Sequence, residues 1–199
     1  TAPNWNIPVY GALPAATNHP PVWNQSSFTK PSATEDAAYT GQTLAGSATD
    51  VDAGTTLTYS KVSGPAWLSV AANGALTGTP ANANVGANSW TVQVSDGIAT
   101  ATATLNLTVT NVNDAPVFTS NPITKAGATQ DAAYTGQTLA GSATDVDAGT
   151  TLTYSKVSGP AWLSVASSGA LTGTPANADV GANSWTVQVS DGITNVTAT

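Results

Sequence analysis

The sequence predicts an all-β protein made of two tandem β-sandwiches of about seven strands each, and three observations lead to this fold class. First, the segment Asp36–Gly97 recurs as Asp131–Gly192, 95 residues further on, with only three differences. Second, each copy is rich in threonine and valine and has turn residues about every eight to twelve positions, which is typical of short strands. Third, no stretch shows a convincing helical period. A repeat of this length is a domain rather than one turn of a solenoid.

The strands of each copy are indicated by apolar residues at every second position. This alternation is clearest in Trp90–Val94 and Leu105–Val109, and it places one face of a strand on a core and the other in water. The pairs Gly64-Pro65, Asn73-Gly74 and Asp96-Gly97 are interpreted as turns or strand ends. About seven such strands per copy fit a two-sheet sandwich.

The repeat also defines the domain boundaries. A weaker match pairs Asn18–Trp23 with Asn113–Phe118 upstream of the near-identical segments. We therefore predict a leader at residues 1–17, module 1 at residues 18–112 and module 2 at residues 113–199.

Module 2 is expected to lack its last strand in this chain. The repeat aligns Thr199 with Thr104, so the counterpart of the alternating segment Leu105–Thr110 falls beyond the sequence. A sandwich without this strand would expose an apolar slot and unpaired backbone groups. One explanation is a boundary of the sequence, and the other is that a second chain fills the slot by β-strand addition.

The leader is a candidate donor for such a slot. Trp5, Ile7 and Val9 alternate with other residues as in a strand, and Trp5 has no counterpart in the repeat. Together with Tyr10 they form the predicted partner-binding segment. Pro3, Pro8 and Pro14 limit the ladder hydrogen bonds that the leader can make.

Composition excludes several classes of function. Charged residues make up 8% of the chain, and four lysines with no arginine leave a net charge of −7, which does not fit binding to nucleic acid. Without cysteine there is no disulfide, thiolate nucleophile or zinc–cysteine site. A single histidine and a single glutamate offer little acid–base chemistry, so we expect no enzyme. No apolar run approaches the roughly 20 residues that cross a bilayer.

Six motifs occur in a fixed order and carry a family resemblance. They are Ala48–Gly54, Leu57–Tyr59, Gly64–Leu68, Gly74–Pro80, Val94–Gly97 and Asn111–Pro116. With these motifs the chain resembles the bacterial cadherin-like modules of dystroglycan type, which are also described as immunoglobulin-like repeats. The resemblance implies cadherin/immunoglobulin-like β-sandwiches strung in tandem in large secreted or surface proteins. Such modules act as spacers and adhesive parts, or as accessory domains of polysaccharide-degrading enzymes.

The resemblance also implies calcium, because cadherins bind this ion between successive domains. Seven of the eleven acidic residues lie in these motifs and in their copies in module 2, and calcium prefers six to eight oxygen ligands. By the cadherin pattern, the linker, the D-x-D pair and the Asp-Gly turn meet at one end of a module. One calcium ion is thus expected in module 2, with the ligands Asp114, Asp145, Asp147, Asp191 and an oxygen of Asn113.

A second site is expected in module 1, where His19 stands in the place of Asp114. Its candidate ligands are Asn18, Asp50, Asp52 and Asp96. A D-x-D pair on an extended segment can present both carboxylates to one ion. The alternative is that these aspartates only cap backbone N–H groups of turns.

The leading functional hypothesis is a non-catalytic structural or adhesive module of a bacterial secreted or cell-surface protein, acting as a calcium-stiffened spacer rod. One alternative is a polysaccharide-binding accessory module of a secreted hydrolase. Another is a self-assembling extracellular filament subunit, in which the leader completes the sandwich of a neighbouring chain. The expected partners are neighbouring modules, identical chains or surface glycans, without nucleic acid or membrane insertion.

Overall fold

The computed structural model describes residues 17–199. The predicted partner-binding residues Trp5, Ile7, Val9 and Tyr10 lie outside the described residues. The chain divides into two compact units between Thr110 and Asn111, two residues before the predicted boundary between module 1 and module 2. Among the described residues, no helix is long and apolar enough to cross a membrane.

Module 1 is built from strands β1 to β10. They are β1 (Val22–Trp23), β2 (Ser27–Thr29), β3 (Ala33–Thr34), β4 (Tyr39–Thr43), β5 (Ala48–Thr49), β6 (Thr58–Ser63), β7 (Leu68–Val70), β8 (Ala75–Gly78), β9 (Gly86–Ser95) and β10 (Thr100–Thr110). A single 3-10 turn, Asn82–Asn84, precedes β9. The two longest strands are the two segments in which the sequence alternates most clearly.

The strands of module 1 form one large sheet and two smaller ones. The large sheet has the order β2-β10-β9-β6, with β3 also paired to β10, and a second sheet has the order β4-β8-β7. Strand β10 runs antiparallel to β9 over ten residue pairs and parallel to β2 and β3. Strands β1 and β5 form a separate antiparallel pair.

The core of module 1 lies between these sheets. Trp90, Val92 and Val94 on β9 are buried in one cluster with Leu68 and Leu76 of the second sheet. Burial of each such side chain stabilises the fold by about 1.5–3 kcal/mol. The alternation of the sequence therefore marks the face of β9 that packs on the core.

Module 2 repeats this arrangement with strands β11 to β18. They are β11 (Val117–Phe118), β12 (Tyr134–Thr138), β13 (Ala143–Thr144), β14 (Thr153–Ser158), β15 (Leu163–Val165), β16 (Ala170–Gly173), β17 (Thr186–Ser190) and β18 (Asn195–Ala198). Its sheets have the orders β12-β16-β15 and β14-β17-β18, beside the pair β11-β13. The all-β prediction is confirmed, and the two near-identical sequences form sandwiches of the same design.

The modules differ at one edge of the larger sheet. Strand β9 spans ten residues, but its counterpart β17 spans five, so residues 181–185 lie outside any strand. Strand β10 spans eleven residues, whereas β18 spans four. The counterparts of β2 and β3, near residues 122–124 and 128–129, are likewise not strands.

Candidate metal centre

Each module brings three predicted segments together at one end, which we call its acidic pole. The segments are the residues before the first strand, the D-x-D pair and the loop that holds the Asp-Gly turn. The acidic pole of module 2 consists of Asn113, Asp114, Asp145, Asp147 and Asp191. The acidic pole of module 1 consists of Asn18, His19, Asp50, Asp52 and Asp96.

Asp191 organises the loop between β17 and β18. Its Oδ1 accepts hydrogen bonds from the backbone N–H groups of Ile193 at 2.7 Å and Thr194 at 2.6 Å. Its Oδ2 accepts from the Thr194 hydroxyl at 2.7 Å and from the Asn113 amide nitrogen at 2.9 Å. One carboxylate thus ties the start of module 2 to a loop 78 residues away in the sequence.

The D-x-D pair of module 2 is also linked to the start of the module. The backbone N–H of Asp147 donates to Asp145 Oδ1 at 2.8 Å, and that of Asp114 donates to Asp147 Oδ2 at 2.8 Å. Asp145 Oδ2 is buried without a hydrogen-bond partner among the described residues. A buried carboxylate oxygen in this condition is costly unless another group compensates it.

Module 1 repeats this network. The Asn18 amide nitrogen donates to Asp96 Oδ2 at 3.0 Å, and the backbone N–H of Asp52 donates to Asp50 Oδ1 at 2.8 Å. The backbone N–H of His19 donates to Asp52 Oδ2 at 2.7 Å. Asp50 Oδ2 is buried without a partner among the described residues, as its counterpart is in module 2.

His19 distinguishes the acidic pole of module 1. Its Nδ1 lies 3.0 Å from Asp52 Oδ1. The imidazole therefore contacts the second carboxylate oxygen of Asp52, which is a predicted calcium ligand. When the ring is protonated this contact is an ion pair. A cation in module 1 would therefore compete with His19 for Asp52.

The surroundings of these carboxylates favour their charged forms. Burial alone would raise the pKa of Asp191, but hydrogen bonds from Thr194 and Asn113 bring it well below the ordinary value. The backbone and side chain of His19 lower the pKa of Asp52. Backbone N–H groups of Ala99 and Ile98 lower that of Asp96. The acidic poles are therefore anionic at neutral pH.

The prediction that the D-x-D pair is extended is wrong. Val51–Asp52 and Val146–Asp147 lie in bends, and the first carboxylate of each pair turns back onto the N–H of the second. This is the turn-capping role that we named as the alternative. The capping bond uses only Oδ1 of the first aspartate. Its Oδ2 is the buried oxygen that has no hydrogen-bond partner among the described residues.

The acidic pole of module 2 offers donor atoms of the kind that calcium binds, but the carboxylates of Asp145, Asp147 and Asp191 do not form a group within 4.8 Å of one another in the described structure. The candidate ligands are carboxylates together with an asparagine amide, and hard cations prefer such oxygen donors. A cation beside Asp145 would compensate the partnerless Oδ2. The Asn113 amide presents its nitrogen to Asp191, and rotation of the amide by half a turn would present its oxygen instead.

One residue of this site was missed by the sequence analysis. Thr194 donates both its backbone N–H and its hydroxyl to Asp191, whereas the equivalent Ala99 donates only its N–H to Asp96. The signal that could have revealed it is its position three residues after the aspartate, where side chains often complete turns of this kind.

Solved structures similar to the chain include cadherin fragments. The mouse Cadherin-23 EC22-24 structure is 19% identical over 92% of this chain and 65% of its own, with a TM-score of 0.61. The human CDH23 EC21-23 structure is 23% identical over 90% of this chain and 67% of its own, with a TM-score of 0.63. At these identities the likeness concerns the fold.

A polysaccharide-degrading enzyme is similar over part of its length. The endo-fucoidan hydrolase MfFcnA4 from glycoside hydrolase family 107 is 33% identical over 94% of this chain, with a TM-score of 0.47. The chain spans only 29% of the length of that hydrolase. No curated protein matches the chain with significant similarity.

The sequence family described as "Putative Ig domain" matches the chain twice, at residues 20–110 and 115–199. The two matches cover most of the chain and coincide with the two sandwiches. The chain therefore belongs to this family of Ig-like domains, as two tandem copies.

Proposed function

We propose that the chain is a non-catalytic spacer and adhesive segment of a bacterial secreted or cell-surface protein, and that calcium at its acidic poles stiffens it. Tandem Ig-like and cadherin-like modules support the structural role. The expected partners are neighbouring modules of the same protein or identical chains. In such proteins the number of tandem modules determines the length of the spacer.

The observation that carries the calcium proposal is the repeated geometry of the two poles. Both modules bring an asparagine, a D-x-D pair and an Asp-Gly loop together. At each pole one buried carboxylate oxygen, of Asp50 or Asp145, has no hydrogen bond among the described residues. Capping of backbone N–H groups accounts for the hydrogen-bonded oxygens of these aspartates but not for Oδ2 of Asp50 and Asp145. A divalent cation explains both the excess of acids and the buried oxygen.

Module 2 is proposed as the tighter site. Its first segment contributes Asp114, whereas module 1 has His19 in contact with Asp52. Asn113 and Asp114 also lie directly after the boundary between the two units. An ion held there would restrict the segment that joins the modules, and this restriction is the proposed source of stiffness.

Calorimetric titration of the full chain with calcium tests the proposal. We expect binding to be abolished in module 2 by Asp145→Asn, because this substitution removes the charge of the buried oxygen. At a free calcium concentration 100 times its Kd, binding should stabilise module 2 by about 2.7 kcal/mol. The melting temperature should therefore rise with calcium and fall with a chelator.

Asp179→Asn is the matched control for this titration. Asp179 lies outside the acidic pole, and the equivalent residue of module 1 is Asn84, which makes the same bond to a backbone N–H. The control should bind calcium like the unmodified chain. If the melting temperature is identical in calcium and in chelator, the aspartates are caps of turns and the calcium proposal is wrong.

Glycan binding makes a different prediction. Sugars stack on exposed aromatic rings, but Trp23 and Trp90 are only 8% and 2% exposed, and Trp67 packs edge-on against Trp90 at 5.3 Å. The burial and packing of these tryptophans favour the spacer function over glycan binding. Specific retention of the chain on an insoluble polysaccharide would favour the accessory module instead.

A further inference from the structure

The turn between β7 and β8 is the place where the two repeated segments differ most. Two of their three differences lie there, because module 1 has Ala72-Asn73 where module 2 has Ser167-Ser168. Asn73 is followed by Gly74, and no other asparagine in the sequence precedes a glycine. A glycine has no Cβ to hinder attack of its backbone nitrogen on the side-chain amide of the residue before it. Module 1 therefore has a reactive position that module 2 lacks.

The glycine of this turn is fixed by the fold in both modules. Gly74 has a φ of +87°, and an added Cβ would lie 2.7 Å from the backbone nitrogen of Ala45. Gly169 has a φ of +90°, and an added Cβ would lie 2.7 Å from the backbone nitrogen of Ala140. Because glycine is required in both turns, the residue before it decides whether the turn is reactive.

The folded turn engages both groups that would react. The side chain of Asn73 is exposed, and its Oδ1 accepts from the backbone N–H of Ala75 at 3.1 Å. The N–H of Gly74, whose nitrogen is the nucleophile, donates to Ala71 O at 2.8 Å. The attack requires loss of this proton, and a hydrogen-bonded amide of a folded turn gives up its proton when the turn opens. The reaction is therefore expected from the open hairpin.

The backbone on either side of Asn73 is held by two other segments of module 1. Ala72 O accepts from the N–H of Tyr59 on β6 at 3.0 Å. Gly74 O accepts from the N–H of Leu44, which follows β4, at 2.8 Å. A longer backbone between residues 73 and 74 would move these two carbonyl groups apart, so both bonds could not be kept.

We propose that Asn73-Gly74 is a deamidation site exposed by opening of the β7–β8 hairpin, and that its isoaspartate product prevents module 1 from regaining the native turn. The nitrogen of Gly74 forms a bond to Cγ of Asn73, the bond between Cγ and Nδ2 breaks, and ammonia leaves with the proton of Gly74. Water then opens the cyclic imide at one of its two carbonyl groups. One opening gives aspartate, and the other gives isoaspartate, in which the side-chain carbons form part of the backbone.

The two products have different consequences for the fold. Aspartate retains an oxygen that accepts from the N–H of Ala75, so the native turn is kept. Isoaspartate lengthens the backbone and breaks the bond from Tyr59 or the bond from Leu44. Ser168 has no carbonyl group in its side chain, so the equivalent turn of module 2 does not react.

Mass spectrometry of the full 199-residue chain, incubated in mildly alkaline buffer with and without denaturant, tests the site. Tandem spectra locate the mass gain that accompanies conversion of an amide to a carboxyl group, whereas isomerisation at an Asp-Gly pair leaves the mass unchanged. We expect the gain at Asn73 to be at least about tenfold faster in denaturant, because the rate in the folded chain follows the population of the open hairpin. Equal rates, or a faster gain at another asparagine in denaturant, would contradict the proposal.

Two variants separate the products. Asn73→Ser gives module 1 the residue that forms the same turn in module 2, where the N–H of Gly169 donates to Ala166 O at 2.8 Å, and it should remove the modification. Asn73→Asp adds the charge without lengthening the backbone and should melt like the unmodified chain.

The chain aged in denaturant and then refolded gives the decisive comparison. It should contain a fraction whose module 1 melts at least about 4 °C below that of Asn73→Asp. If isoaspartate is detected at residue 73 but no such fraction forms, the turn accommodates the longer backbone and the proposal is wrong.

Discussion

Asp191 shows how a single carboxylate can organise the end of a module. It accepts hydrogen bonds from two backbone N–H groups, one hydroxyl and one amide. Every one of these donors favours the ionised form, and together they outweigh the effect of burial on its pKa. The residue thereby ties the start of module 2 to the loop between β17 and β18.

The lowered pKa of Asp191 predicts an acid-sensitive module 2. A carboxyl group that binds its proton less readily in the folded than in the unfolded chain adds stability above its unfolded pKa, about 3.9. That contribution is lost as the pH falls below this value toward the lower folded pKa. We expect Asp191→Asn to lower the stability of module 2 at neutral pH and to flatten its dependence on pH below about 4.

Denaturant unfolding between pH 2 and 7, in the presence of a chelator, measures this effect. Asp179→Asn serves as the control, because asparagine at this position keeps the bond that Asn84 makes in module 1. An unchanged pH profile for Asp191→Asn would show that its hydrogen bonds do not contribute to folding.

The residues of the acidic poles could be chosen from the sequence, but their bonding could not. The clustering of acids in the motifs of an otherwise charge-poor chain selected Asp145, Asp147 and Asp191. What each oxygen does depends on backbone groups brought close by the fold, such as the N–H of Asp114 on Asp147. No local pattern records a contact between residues 33 positions apart.

At the scale of strands, the loop between β6 and β7 is held by a lysine. Lys61 Nζ donates to the carbonyl oxygens of Pro65 at 3.3 Å, Ala66 at 3.5 Å and Leu68 at 2.7 Å. The same turn brings Gly64 against the Trp90 ring, whose Nε1 donates to Pro65 O at 2.9 Å. The lysine thus closes a turn next to the core of the sheet.

Replacing Lys61 by methionine should destabilise module 1 by roughly 1–2 kcal/mol, because the carbonyl groups lose charged donors while the apolar stem is kept. Lys30→Met is the control, since Lys30 Nζ lies over the Phe28 ring at 6.0 Å and caps no turn. Chemical unfolding of both variants measures the difference. Equal stabilities would mean that water replaces the ammonium group without cost.

The strands themselves were the most predictable part of the fold. Alternation located β9 and the second half of β10 because apolar side chains at every second position have to face one core. The same reasoning could not find Asn88, a buried polar residue. Its amide nitrogen donates to Asn84 O and Gly86 O, and its Oδ1 accepts from Trp67 Nε1. Its environment is created by the packed sheets and not by the neighbouring sequence.

At the scale of the whole chain, two nearly identical repeated segments form modules whose larger sheets differ in extent. In module 2 the strand that begins at Thr186, β17, spans five residues, against ten for β9, and Trp185 is more exposed than Trp90. Local propensities are nearly the same within the repeated segments Asp36–Gly97 and Asp131–Gly192. The strand that pairs with residues 86–90 in module 1 is therefore one source of any difference in stability between the modules.

We expect calorimetry of the calcium-free chain to show two unfolding transitions, with module 2 unfolding at the lower temperature. A matched pair of glycines assigns them. Gly64 and Gly159 have φ of +114° and +113°, and an added Cβ would meet Ser89 O or Ser184 O at 2.7 Å as well as a tryptophan ring. Gly64→Ala should lower only the upper transition and Gly159→Ala only the lower one, each by more than about 8 °C.

Alanine in place of Gly46 and Gly141 separates this clash from the cost of the backbone conformation. These glycines also have positive φ, but an added Cβ would have nothing within 4 Å, so only about 1–2 kcal/mol is expected. If Gly159→Ala lowers the upper transition instead, module 2 is the more stable module. The strand beside residues 86–90 would then contribute less to stability than the rest of the sandwich.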